Sequence, residues 1–173
     1  MEGIRLAQTS EQFSALRRFQ DQCELEMITL QACNATRGEA GTSYVEPYSI
    51  RPAISNISSS QNGKLFVVKI SFDYDAWDSS EPSQRLFQVN CTFEVSYQLR
   101  DGYIPTEEER LSFSRGTAVF NCWSYAREFF RDMTARLGHS APVLPLLRII
   151  PKQQPPSEPV VLEGVKGVEE GSE

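Results

Sequence analysis

The sequence predicts an α+β fold in which a four-stranded antiparallel sheet carries helices packed on one face. Two observations lead there. From Leu86 to Leu99 apolar and polar side chains alternate without a break, the period of a strand with one buried and one wet face. Beyond Pro105 the period changes, and Val119, Trp123, Ala126, Phe130, Met133 and Leu137 recur at steps of three and four, as on an amphipathic helix.

In chain order, Thr9 and Gln12 form a capping box ahead of Phe13, Leu16 and Phe19, which places a short helix over about 10–21. Cys23 to Thr36 reads as a strand, with Glu24, Glu26, Ile28, Leu30 and Ala32 on one face and Cys23, Leu25, Met27 and Thr29 on the other. Residues 37–52 read as a loop carrying Tyr44, Val45 and Tyr48, in which Pro47 and Pro52 bar a regular helix. Ile54 to Ser60 reads as a strand ended by the turn signal Gln61-Asn62-Gly63. Leu65 to Asp75 follows, with Phe66, Val68, Ile70, Phe72 and Tyr74 on one face, and Ser79 to Ser83 forms a turn. On the next strand Phe87, Val89, Cys91, Phe93, Val95, Tyr97 and Leu99 form the buried face. Burying each large side chain is worth about 1.5–3 kcal/mol, so the choice of face is firm. Short turns between consecutive strands imply a meander.

Pro105-Thr106-Glu107-Glu108-Glu109 starts a helix, with acids at the positive end of its dipole, and Gly116 is its expected end. A second helix is expected near 118–137, closed by Gly138. Cys122, Tyr125 and Phe129 widen its apolar stripe to an arc of about 160° at ~100° per residue. One sheet face needs less than that, so a second surface is expected against this helix, and a helix of another copy supplies one. Residues 1–150 form the expected domain. After Pro151 come Pro155, Pro156, Pro159 and three glycines, with two lysines against five glutamates and no aromatic, so residues 151–173 read as a flexible acidic tail.

Composition excludes several functions. Lys plus Arg number 17 against 23 Asp plus Glu, a net charge of -6, which repels phosphate backbones and gives no reason to bind nucleic acid. The N-terminal residues lack the apolar core of a signal peptide, and no run approaches the ~20 apolar residues of a membrane span, so a cytoplasmic location is expected. Cys23, Cys33, Cys91 and Cys122 form no CxxC pair and read as reduced thiols. No catalytic residue is assigned: His139 is the single histidine, placed to meet terminal helix carbonyls, and neither it nor Cys122 stands in a catalytic signature. No metal-ligand spacing and no phosphate loop is present, so no cofactor is expected. Glu24, Glu26, Asp73, Asp75 and Glu94 make either a solvated sheet face or a docking face for a basic partner. Tyr44, Val45, Tyr48 and Ile50 either anchor a loop over the core or wall an apolar groove.

The run Trp123-Ser124-Tyr125-Ala126-Arg127-Glu128, followed by Gly138 and Pro142-Val143-Leu144-Pro145-Leu146, resembles the SecB protein-export chaperones. There an aromatic-Pro-Tyr-Ala-Arg-Glu segment opens a helix that ends in glycine before a Pro- and Leu-rich stretch; Ser124 stands where those proteins have proline. The resemblance spans about residues 19–150. It implies a dimer of dimers that uses no ATP and holds unfolded client polypeptides on apolar grooves. It places Tyr44, Val45, Tyr48 and Ile50 over the groove and Trp123, Phe130, Met133 and Leu137 in its wall. Either the translocase motor SecA, met through the acidic residues, or an antitoxin of a toxin–antitoxin system is the implied partner.

Overall fold

The computed structural model describes residues 5–38, 48–79, 83–140, 142–144 and 146–151. The main sheet is built from β2 (Cys23–Arg37), β3 (Tyr48–Asn62), β4 (Leu65–Asp78) and β5 (Arg85–Leu99). Before it come β1 (Arg5–Gln8) and α1 (Ser10–Gln20). After it come α2 (Glu107–Phe113), a π-helical turn (Ser114–Ala118), α3 (Val119–Arg136) and β6 (Arg148–Pro151).

The strands lie in the order β2-β5-β4-β3, all pairs antiparallel. The expected meander describes β3, β4 and β5. β2 pairs with β5 instead of β3, so these two consecutive strands stand at opposite edges of the sheet, a Greek-key order. Both β2 and β3 are therefore edge strands.

The predicted inner faces of β4 and β5 are buried from Phe66 to Tyr74 and from Phe87 to Leu99. α3 lies over these two strands, with Trp123 5.7 Å from Phe72 and Phe130 stacked on Tyr74 at 4.7 Å between ring centres. α1 carries its capping box and docks on α2, where Phe19 stacks on Phe113 at 4.2 Å and Arg18 Nε donates to Glu109 Oε1 at 2.9 Å.

Three further expectations change, and one element is new. β3 begins at Tyr48, not Ile54, and contains Pro52; an edge strand tolerates proline because its outward amide has no ladder partner to lose. Gly116 does not end a helix, since α2 continues through the π-helical turn into α3. Its role is close approach: a Cβ there would fall 2.3 Å from Leu16 Cδ1 and 2.7 Å from Gln8 Nε2. β2 does not keep one alternation, because bulges between Leu25 and Met27 and between Leu30 and Ala32 each shift the face by one residue. Finally, β1 and β6 form a separate parallel pair, Arg5 opposite Arg148, too short for periodicity to reveal. The expected tail, from Lys152 onward, lies outside the described residues.

Candidate functional site

Directly opposed residues of neighbouring strands share a sheet face, so pairing assigns the faces of β2. Cys23, Leu25, Ile28, Leu30, Cys33 and Ala35 stand opposite Leu99, Tyr97, Val95, Phe93, Cys91 and Val89, on the side that bears the helices. α3 covers β4 and β5 but leaves this margin open, with Leu25 47% and Leu30 40% exposed. From the helix side, Phe129 meets Phe93 edge-on at 6.1 Å, and Tyr125, one turn earlier, is 53% exposed. Leu30 is the β2 partner of that same Phe93. The result is an apolar shelf floored by β2 and walled by the Tyr125–Phe129 side of α3. Met27, displaced by the bulge, stands opposite Ser96 on the other face.

A second apolar region gathers at the C-terminal end of α3. The Arg37 guanidinium donates to the Leu137 carbonyl, with Nε at 3.0 Å, and the Tyr48 hydroxyl donates to the Ser140 carbonyl. His139 lies tilted against Phe87 at 4.9 Å between ring centres, and Tyr48 meets the same ring at 6.0 Å. Gly138, with φ +88°, makes the turn out of the helix. Arg37 and Tyr48 flank the segment 39–47, so both of its attachment points are tied to the end of α3. Met133 and Leu137 are half-buried there, and Val143 and Leu146 lie exposed just beyond.

The expected groove residues divide. Tyr48, Ile50, Met133 and Leu137 are partly buried against the core. Tyr44 and Val45 lie outside the described residues. Trp123 and Phe130 require correction: at 3% and 0% exposure they belong to the interior and offer no surface to a ligand. The sheet needs both as its cover over Phe72 and Tyr74, so the open part of the arc is the Tyr125 and Phe129 side alone.

The acidic residues lie on β2, β4 and β5, and most are locally compensated. Asp73 accepts from Asn90 at 2.6 Å, Arg85 sits 3.6 Å from Asp75, and Lys69 sits 3.4 Å from Glu94. Glu24 is exposed opposite Gln98, and Glu26 is the extra residue of the first bulge. Asp73, Asp75, Glu94 and Glu24 share the face away from the helices with the Ser71–Thr92 hydroxyl pair at 2.9 Å.

Burial pushes the thiols of Cys91 and Cys122 up to about 12, which keeps them protonated and poorly nucleophilic at neutral pH. Burial and the nearby Arg37 lower the His139 pKa, favouring neutral imidazole. Among the described residues, no group of three or more His, Cys, Asp or Glu could hold a metal ion, and no helix is long and apolar enough to cross a membrane. Sequence reasoning missed Phe120, 53% exposed and one position off the helical stripe. It also missed a groove of about 720 Å³ between β1, β3 and α2, with Leu6, Ile54, Ile57 and Leu111 on its walls. Neither the capping box nor the stripe pattern carries a signal for that groove, which depends on β1 returning beside α2.

No family model and no curated relative matches the chain. Among solved structures, it matches the SecB-like chaperone Rv1957 of Mycobacterium tuberculosis, solved in complex with a ChAD peptide from the Rv1956 HigA1 antitoxin. The TM-score is 0.68 at 19% identity, covering 78% of this chain and 97% of that one. The fold is SecB-like. A Streptococcus agalactiae protein of unknown function also matches, at TM-score 0.42 and 8% identity over 71% of this chain and 96% of its own, too distant to inform the site. On this SecB-like frame the β2 shelf and the end of α3 are apolar regions left open on the helix side of the sheet.

Proposed function

We propose that the protein is an ATP-independent holdase that binds extended apolar segments of non-native polypeptides. The observation that carries the reading is the shelf: Leu25 and Leu30 stand half-open on an edge strand beside Tyr125 and Phe129, within a SecB-like fold. Exposed apolar area of this kind marks an interaction surface, and an open shelf tolerates many sequences because its contacts are weak and non-directional. Pairing of β2 with β2 of a second copy would satisfy the free backbone edge and join two shelves into one longer track, the first step toward the expected dimer of dimers. The client then runs from the shelf toward the end of α3, where Tyr48, Ile50, Met133 and Leu137 are half-buried, with Tyr44 and Val45 as further contacts. No catalytic step and no cofactor enters this function, and we place it in the cytoplasm.

A narrower form, a dedicated chaperone of one antitoxin, is favoured by the antitoxin peptide bound in the Mycobacterium tuberculosis structure. Service to an export translocase would use Glu24, Glu26, Asp73, Asp75 and Glu94 as the SecA-docking face, and the pairing of Asp73, Asp75 and Glu94 weakens that form. Purified protein mixed with a chemically unfolded substrate tests the common reading. Light scattering should fall at near-equimolar ratio without nucleotide, and unchanged aggregation would refute it.

A further inference from the structure

Three of the four cysteines lie on β2, β5 and α3, two of them paired across neighbouring strands. Cys33 on β2 stands directly opposite Cys91 on β5, and Cys122 on α3, its thiol pushed up by burial, lies near enough to Cys91 to be raised further by it. Cys33 is exposed, whereas Cys91 and Cys122 are buried. Opposed residues in an antiparallel ladder have Cα atoms about 4.5–5.5 Å apart, inside the roughly 4.4–6.8 Å span of disulfides. The bulge between Leu30 and Ala32 precedes this pair, where the local twist increases.

We propose that Cys33 and Cys91 form an oxidation site at which a hydroperoxide closes a cross-strand disulfide between β2 and β5. In the first step the sulfur of Cys33 displaces the peroxide O–O bond, becoming a sulfenic acid and, with hydrogen peroxide, releasing one water. In the second the sulfur of Cys91 displaces the sulfenic hydroxyl, and its proton leaves with that hydroxyl as a second water. Two thiols are oxidised and one peroxide is reduced. Exposure selects Cys33 for the first step, because oxidation follows access and thiolate character. Burial shields Cys91 from the peroxide and keeps its thiol a poor nucleophile, so it reacts only with the sulfenic sulfur held directly opposite it on the ladder. Closure fastens the edge strand β2 to its neighbour β5, independently of whether the shelf holds clients.

The full chain is treated with hydrogen peroxide, alkylated and mapped by peptide mass spectrometry, with free thiols counted. The expected result is a fall from four thiols to two, a Cys33–Cys91 linked peptide, and amide exchange in β2 slowed by about tenfold or more. Cys33→Ser, a change at an exposed position, should fold normally and lose no pair of thiols. A bridge joining Cys91 to Cys122, a bridge between two copies, over-oxidised Cys33 beside reduced Cys91, or thiol loss persisting in Cys33→Ser would overturn the proposal.

Discussion

Replacing Gly116 with alanine tests whether the π-helical turn is a packing joint. The new methyl would lie 2.3 Å from Leu16 Cδ1 and 2.7 Å from Gln8 Nε2, so both side chains must retreat by about 1 Å to restore ordinary contact. Overpacking of this kind costs about 1–3 kcal/mol. Moving Gln8 also endangers its 3.1 Å bond to the Ser112 carbonyl, worth a further ~1 kcal/mol. Against this, alanine returns about 1 kcal/mol of helix preference. The net loss is therefore about 1–3 kcal/mol, which at ordinary urea sensitivity lowers the unfolding midpoint by about 1 M. Equilibrium urea unfolding followed by circular dichroism measures it. In a Leu16→Ala background the methyl has room, so the same glycine substitution should become neutral or stabilising. An equal cost in both backgrounds, or a more stable single variant, would refute the joint.

Glu109 carries a pH-dependent share of stability. Burial raises its pKa, but hydrogen bonds from the Thr106 amide, Arg18, the Thr106 hydroxyl and Tyr103 outweigh this and leave it lowered. A depressed carboxyl stabilises the fold above its unfolded pKa and loses that contribution as pH falls through the folded value. Stability should thus decline below the usual carboxylate range, and Glu109→Gln should flatten that decline in pH-dependent melting; an unchanged acid limb would contradict the assignment. Phe93, 5% exposed between Phe72 and Phe129, should not tolerate aspartate: an unpaired buried charge costs at least about 3–5 kcal/mol, visible as lost cooperative melting. Serine at both Leu25 and Leu30, each already about half-open, should cost under about 2 kcal/mol in total while at least halving suppression of aggregation, read by light scattering at equal protein concentration.

The inner sheet was legible because β4 and β5 are central strands, whose alternation records burial on one side. α1 and α2 were legible through Thr9–Gln12 and Thr106–Glu109, local boxes that both form. β2 was legible as a strand but not in its faces: the extra residues at the bulges are a tertiary choice, and Glu26 and Gln31 look like ordinary members of the alternation. Gly116 misled because a glycine within a helical pattern reads as a stop, while contact with Leu16 across about 100 residues of sequence gives it another purpose. The breadth of the α3 arc was visible, but not its division. Trp123 and Phe130 fell inward because the sheet's own aromatics needed a lid, and that competition is settled only when β4, β5 and α3 meet.

Site-specific photo-crosslinking tests the central claim most directly. A photoreactive residue is placed at Leu30 on the shelf or at Ser60, exposed near the far end of edge strand β3, and each protein is mixed with a chemically unfolded substrate. Adducts with the substrate should form from position 30 and not from position 60. Equal labelling from both, or labelling from position 60 alone, would contradict the account.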